Sequence, residues 1–182
     1  MTKVILIHGN GNGTGQDNWQ PTVKAQLEAA GIPCLSPNFP DTPLARRQFW
    51  IPFLKNELQA DKDTVIVGHS SGAVCAMRYA EEYSLLGSVL VGACYTDLGL
   101  ESEKSSGYYD DPWQWDKIRA HQKWIALFAS SDDPWIPIEE PRIIHKNLKT
   151  DYFEYQDRGH FGGDRLVTEF PECVAYLKEK LL

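Results

Sequence analysis

The sequence predicts an α/β fold in which a parallel β-sheet lies between two layers of helices. Short apolar runs that suit buried strands alternate along the chain with segments of helical periodicity. One of these runs, residues 64–67, is wholly β-branched and leads into a helix through a turn flanked by glycines. The 182 residues are enough for one domain with a substantial core and few for two. We therefore expect a single domain over residues 1–182.

Strands are predicted where short apolar runs are bounded by glycine, proline or polar residues. In chain order these runs cover residues 4–7, 32–36, 64–67, 88–94, 124–129 and 152–155. The first run leads into residues 8–15, which are too rich in glycine for regular structure. The second ends at Pro37, because proline cannot continue a central strand.

Helices are predicted where apolar residues recur every three or four positions. In chain order they are expected from about residue 18 to a stop at Gly31, over residues 44–58, from Gly72 onward, from residue 111, and over residues 137–148 and 166–181. Pro52 should kink or divide the second of these helices. Pro112 is well placed as the first helical residue of the fourth. Residues 95–109 show neither the alternation of a strand nor the spacing of a helix. An irregular polar segment, called the excursion below, is therefore predicted there.

The charge and hydropathy of the chain argue against two classes of partner. Lys and Arg total 18 against 25 Asp and Glu, a formal net charge of −7, and no basic run occurs. Nucleic acids and anionic membranes both attract basic patches, so we expect neither as a partner. No stretch approaches the roughly 18 apolar residues of a membrane span, and the N-terminal apolar run is too short for a signal peptide.

The cysteines and glycines exclude the common cofactor motifs. The four cysteines are widely spaced, and none shows the C-x-x-C or Cys/His spacing of a zinc site. Buried, reduced thiols are therefore expected, which is typical of a cytoplasmic protein. Residues 8–15 fit neither G-x-G-x-x-G nor the Gly-Lys pair of a P-loop, so we predict no nucleotide, metal or other cofactor.

The turn after the third strand carries the candidate nucleophile. Its sequence, Gly68-His-Ser-Ser-Gly72, matches G-x-S-x-G in the strand–turn–helix context that the motif requires. A Cβ atom at either glycine would collide with the neighbouring strand or helix. Ser70 Oγ would stand clear of the sheet beside the positive end of the following helix. Ser70 is the candidate nucleophile, and Ser71 is an alternative that lies off the centre of the motif.

A serine hydroxyl needs a general base, and the base needs an acid that orients it. Where G-x-S-x-G carries the nucleophile, the acid and then the histidine follow it in the chain. Among the downstream histidines, His121 precedes a strand and His145 lies within a helix, whereas His160 lies in a loop that can swing over the turn. His160 is therefore the candidate base. The candidate acids, each just after a strand, are Asp133, Asp132 and Asp97.

The oxyanion that forms during acyl transfer needs backbone N–H donors. The candidates are the N–H groups of Ser71 and of Asn10, which lies in the loop after the first strand. Aromatic residues in the neighbouring segments suit a substrate wall and a packed core equally well. The candidate pocket residues are His8, His69, Tyr95, Tyr108, Trp113, Trp135 and Phe161.

Several motifs together resemble one known family over nearly the whole chain. They are GNGNG after the first strand, NFPD at 38–41, WIPF at 50–53, GHSSGAVCAMRYAE at 68–81, GYYDDPWQWDKI at 107–118, SSDDPWIP at 130–137 and GHF at 159–161. The chain resembles the small serine α/β-hydrolases of the retinoblastoma-binding protein 9 and YdeN-like family. The resemblance implies about six strands, no large cap domain and a triad of Ser70, Asp133 and His160. The family's acid immediately precedes a proline, which selects Asp133 over Asp132.

One departure from the family limits what the resemblance implies. The vertebrate member is named for a retinoblastoma-protein contact through L-x-C-x-E, whereas residues 58–62 of this chain are LQADK. That partner is not expected here. The sequence thus predicts a serine hydrolase that cleaves a small-molecule or short-peptide ester, thioester or amide. The alternative is a catalytically inactive hydrolase fold that serves as a protein-binding module.

Overall fold

The computed structural model describes residues 2–182, and its centre is a sheet of six strands. The strands are β1 (Lys3–Ile7), β2 (Cys34–Leu35), β3 (Thr64–His69), β4 (Gly87–Val91), β5 (Trp124–Ser130) and β6 (Asp151–Tyr155). They lie in the order β2-β1-β3-β4-β5-β6, and every neighbouring pair is parallel. The predicted α/β fold is therefore confirmed.

Helices cover both faces of the sheet. They are α1 (Gln20–Ala29), α2 (Arg47–Pro52), α3 (Ser71–Glu82), α4 (Glu101–Ser105), α5 (Trp115–Ala120), α6 (Glu139–Leu148) and α7 (Pro171–Leu181). Side chains alternate along each strand, so Ile5 and Ile7 enter the core beneath α2, α3, α5 and α6. Val4 and Leu6 enter the opposite core, beneath α1 and α7. Nearly continuous apolar strands are what a sheet covered on both faces requires.

The register of the sheet brings the candidate site together at one edge. Ile7 of β1 pairs with Gly68 of β3, and His69 of β3 pairs with Val91 of β4. The loops that follow these three strands therefore begin side by side at the carboxyl edge of the sheet, where ligands bind in folds of this type. Residues 92–114 join β4 to α5 with only the short helix α4, and no large cap covers this edge.

Two predicted helix starts are wrong. The helix expected from residue 111 begins at Trp115, and Pro112 precedes it. The carbonyls of Asp111 and Pro112 accept hydrogen bonds from Arg78, which holds this stretch in a non-helical path. The last helix begins at Pro171 rather than at residue 166, since proline fixes the backbone for the first helical turn.

Two other segments differ in detail from the prediction. The irregular excursion at residues 95–109 contains one short helix, α4. The helical segment expected over residues 44–58 is divided, because α2 ends at Pro52 and Phe53–Glu57 forms a π-helical turn. Among the described residues the longest helix, α3, has 12 residues, and none is long and apolar enough to cross a membrane.

Candidate active site

The turn between β3 and α3 holds Ser70 in a backbone conformation that its two glycines make possible. Ser70 has φ 55° and ψ −121°, which is unusual for a residue with a side chain. A Cβ at Gly68 would lie 2.3 Å from the carbonyl carbon of Gly72, and a Cβ at Gly72 would lie 2.5 Å from the carbonyl oxygen of Ile7. Both positions therefore require glycine, as the motif predicted.

The loops after β5 and β6 bring Asp133 and His160 into contact. Asp133 Oδ2 accepts a hydrogen bond of 2.7 Å from His160 Nδ1, and both side chains are 3% exposed. The other carboxylate oxygen, Oδ1, accepts the backbone N–H groups of Trp135 at 2.9 Å and Ile136 at 3.0 Å. Asp133 is thus fixed by its own turn, and His160 Nδ1 carries the proton. Ser70 and His160 line the same cavity.

The neighbouring carboxylate, Asp132, has a different set of partners. Its Oδ1 accepts hydrogen bonds from Ser130 Oγ at 2.6 Å and from the Gly159 N–H at 2.8 Å. Its Oδ2 pairs with Arg165 at 3.1 Å. The hydrogen bond from Ser130 is the largest cause that lowers the pKa of this carboxyl. Asp132 therefore anchors the loop that carries His160 without contacting the imidazole.

Two glycines that the sequence analysis did not single out make room for these side chains. Gly92, just after β4, has φ +56°, and a Cβ there would lie 3.1 Å from His160 Cε1 and 3.2 Å from Nδ1. A Cβ at Gly9 would lie 3.3 Å from the Cβ of Ser70. The sequence offered one signal for Gly92: it interrupts an apolar strand, which often marks a close approach of other groups.

The two candidate oxyanion donors belong to residues that line the same cavity as Ser70. The Ser71 N–H is at the start of α3, where backbone donors have no partner within the helix. The Asn10 N–H donates to no acceptor among residues 2–182. The Asn10 side chain is itself held, because its Nδ2 donates a hydrogen bond of 2.7 Å to Glu103 Oε1.

His8 and His69 line the site as buried rings that hydrogen-bond to the backbone. His8 Nδ1–H donates to the Gly9 carbonyl at 2.7 Å, and its Nε2 accepts the Phe39 N–H at 3.0 Å. His69 Nε2–H donates to the His160 carbonyl at 2.7 Å. Burial lowers the pKa of both rings, that of His69 to about 3. Each ring holds a loop of the site in place, and its burial disfavours the protonated form that a general base must take up.

The remaining downstream histidines lie away from the site. His121 Nδ1–H donates to the Ala80 carbonyl at 2.8 Å, and His145 stacks on Tyr152. Neither lines the cavity. Within residues 2–182, no three His, Cys, Asp or Glu side chains are grouped so that they could hold a metal ion.

The cavity above Ser70 has a volume of about 490 Å³, and its lining combines apolar and polar side chains. The apolar lining comes from Cys94, Leu98, Leu100, Trp135 and Ile136. The polar lining comes from Asn10, Asn12, Asp17, Asn18, Gln20 and Glu103. Of the predicted pocket residues, His8, His69 and Trp135 do line it, and the ring of Trp135 packs edge-on against that of His160.

The other four predicted pocket residues, Tyr95, Tyr108, Trp113 and Phe161, are not among those that line the cavity. Tyr108 is fully buried in the core beneath α3, and Phe161 packs on Phe170 in the opposite core. Trp113 covers the Arg78 guanidinium at 3.7 Å and donates its indole N–H to the carbonyl of Tyr95, whose ring packs against the same core. The rings of Tyr95, Tyr108 and Trp113 thus pack the segment after β4 against the core beneath α3.

Comparisons with known proteins show the family to which this chain belongs. The family model described as "Serine hydrolase" matches residues 4–179. The chain belongs to the serine hydrolase family. A rat member, "Serine hydrolase RBBP9", is 42% identical over 182 residues, which cover 99% of this chain and 96% of the rat protein.

Solved structures of hydrolases share the fold. "Putative hydrolase YdeN" of Bacillus subtilis is 27% identical over 180 residues, 94% of this chain and 92% of that protein. The crystal structure of the ydeN product superposes with a TM-score of 0.90 at 25% identity and covers 99% of this chain and 98% of its own. Est1E of Butyrivibrio proteoclasticus, solved with ferulic acid, superposes with a TM-score of 0.75 at 14% identity. The superposition covers 98% of this chain and 87% of Est1E. The last likeness concerns the fold alone. The chain is a serine hydrolase with an α/β-hydrolase fold.

Proposed function

We propose that this serine hydrolase cleaves a small ester, thioester or amide through an acyl-enzyme on Ser70. The observation that carries the proposal is the buried 2.7 Å hydrogen bond between Asp133 and His160, at a cavity that Ser70 also lines. With Nδ1 donating to Asp133, His160 Nε2 has its lone pair free to accept a proton. A hydroxyl activated in this way becomes a competent nucleophile at neutral pH.

Acylation begins when Ser70 Oγ attacks the substrate carbonyl and transfers its proton to His160 Nε2. Asp133 stabilises the imidazolium that results, and the N–H groups of Ser71 and Asn10 stabilise the negative carbonyl oxygen. The tetrahedral intermediate then collapses, and the leaving alcohol, thiol or amine takes the proton from His160. Water next attacks the acyl group on Ser70, with His160 again accepting a proton, and the carboxylic acid is released.

The same proposal covers the substrate and its setting. A cavity of about 490 Å³ suits a small molecule or the end of a short peptide. The net charge of −7 disfavours nucleic acid and anionic membranes as partners. No retinoblastoma-protein contact is proposed, because L-x-C-x-E is absent and Ala60, at the Cys position of that motif, is 2% exposed. The four buried free thiols agree with a cytoplasmic setting, and residues 1–182 are proposed to act as one domain.

The proposal is tested by replacing Ser70. We expect Ser70→Ala to abolish hydrolysis of p-nitrophenyl acetate and labelling by a fluorophosphonate, with its melting temperature close to that of the wild type. His160→Ala should lose labelling as well, because the probe reacts only with an activated serine. Ser105→Ala on the exposed helix α4 is the control and should label as the wild type does. Full labelling of Ser70→Ala, or none of a folded wild type, would overturn the assignment.

A further inference from the structure

Glu103 lines the cavity, and its carboxylate links two segments that are far apart in the sequence. Oε1 accepts the hydrogen bond from the Asn10 side chain at 2.7 Å, across 93 residues of sequence. Oε2 accepts the hydroxyl of Tyr109 at 3.2 Å, and the same hydroxyl lies 3.1 Å from Cys94 Sγ. Cys94 follows β4 and is buried. The carboxylate is therefore linked to the segment after β4 through one oxygen and to the loop after β1 through the other.

The backbone around Asn10 needs such a tie. Gly9, Gly11 and Gly13 surround this residue, and glycine allows many backbone conformations. Gly11 has φ +67° and donates to the Pro43 carbonyl at 3.2 Å, while the Gly13 N–H reaches the Asn10 carbonyl at 3.3 Å. Neither bond is short. The strongest fixed contact of Asn10 is the charge-assisted hydrogen bond to Glu103.

Glu103 is held in turn by its own turn of backbone. Its carbonyl accepts the Ser106 hydroxyl at 2.5 Å and the Ser106 N–H at 3.1 Å. The Arg47 N–H then donates to the Ser106 carbonyl at 2.9 Å, which ties this end of α4 to α2. Glu103 is therefore held in a fixed position, and its hydrogen bond to the Asn10 side chain can hold Asn10 in a fixed position as well.

We infer that Glu103 is a positioning residue for hydrolysis, which holds the Asn10 peptide so that its N–H meets the carbonyl oxygen of the transition state. The inference rests on the proposed oxyanion role of Asn10. Glu103 itself need not touch the substrate. Because an oxyanion donor acts mainly in the transition state, a displaced Asn10 should lower kcat more than it changes KM.

The test compares variants in steady-state hydrolysis of p-nitrophenyl acetate. Glu103→Ala should lower kcat about tenfold with KM within about twofold, which is less than the 10²–10³ expected for complete loss of a donor. Glu103→Gln keeps an oxygen that can accept from Asn10, so it should restore kcat to within about threefold of the wild type. Glu101→Ala removes a carboxylate from the same helix outside the cavity and should leave both constants unchanged.

A double-mutant cycle shows whether Glu103 acts through Asn10. Asn10→Ala keeps the backbone N–H and removes its tie, so it should lower kcat as Glu103→Ala does. The double variant should be no slower than the slower single variant, because both changes break the same hydrogen bond. Losses that multiply would overturn the inference, as would a Glu103→Ala variant with wild-type kcat or with only a raised KM.

The outcomes also separate this inference from the proposed function. If Ser70→Ala abolishes turnover while Glu103→Ala retains full kcat, only the positioning role of Glu103 fails. If Ser70→Ala retains turnover, the proposed function fails first. Two results together support both: the fluorophosphonate labels Glu103→Ala more slowly than the wild type, and it does not label Ser70→Ala.

Discussion

Two residues beside the chemistry have a positive φ: Ser70 has φ 55° and Gly92 has φ +56°. Glycine adopts this conformation without strain, whereas at Ser70 it costs free energy. Strain of this kind persists only where the surrounding structure determines it, which is common at active sites. At Gly92 the missing side chain also makes space, because His160 passes over it within contact distance. Gly92 is therefore required for two separate reasons, its positive φ and its lack of a side chain.

Gly92→Ala should lower activity by more than its backbone strain explains. The new Cβ would lie 3.1 Å from His160 Cε1, so the imidazole must shift, and we expect kcat to fall about tenfold or more. Gly31→Ala is the matched control, since Gly31 has φ +79° with no heavy atom near the added Cβ. Both variants should lose about 1 kcal/mol of unfolding free energy, measured in urea. Equal kcat in the two would contradict the steric role of Gly92.

At the scale of elements, α3 does more than present Ser70. Arg78 on this helix is fully buried and pairs with Glu81 at 2.8 Å. Its guanidinium also donates to the carbonyls of Tyr108 at 2.7 Å and Asp111 at 2.6 Å. Glu81 accepts the N–H of Gln114 at 2.9 Å. The ion pair thus attaches the excursion after β4 to α3, the helix that begins next to Ser70.

Breaking this pair should destabilise the protein strongly. Arg78→Ala leaves Glu81 as an uncompensated buried charge, and we expect a loss of about 3–5 kcal/mol in urea unfolding at neutral pH. Arg78→Lys keeps the charge but cannot serve both carbonyls, so it should also lose stability, though less. Arg142→Ala breaks an exposed pair with Glu154 and should have a much smaller effect. A loss from Arg78→Ala no larger than that of Arg142→Ala would contradict the fastening role.

The elements that sequence could predict are those with local causes. The six strands are predictable because each contains a short run rich in apolar or aromatic residues. The turn at Ser70 is predictable because a Cβ at either of its glycines would collide with neighbouring backbone. The path of residues 95–114 could not be predicted, since it depends on Arg78 and Glu81 from another element. The aromatic residues there looked equally suited to a pocket or a core, and most are in the core. Likewise, residue type does not distinguish Asp132 from Asp133. Their different hydrogen-bond partners follow from the backbone of the turn after β5.

At the scale of the whole molecule, burial of histidines couples folding to pH. His69 is the last residue of β3 and packs against the loop of His160, and burial lowers its pKa from 6.5 to about 3. The unfolded chain therefore binds a proton at His69 below about pH 6.5 that the folded protein does not bind. Burial also lowers the pKa of His8, which adds to the effect in the same direction. Stability should fall as the pH drops through this window.

The unfolding free energy should decrease between about pH 6.5 and pH 5, and the contribution of His69 to the slope should approach about 1.4 kcal/mol per pH unit. His69→Gln retains a donor for the His160 carbonyl but cannot titrate, so urea unfolding should show a shallower slope. Glu154→Gln is the control: Arg142 lowers the pKa of Glu154 below 4.5, which places its contribution at lower pH, and the slope should be unchanged. A slope for His69→Gln equal to that of the wild type would show that His69 is not the group responsible, and would leave His8 as the buried histidine to test next.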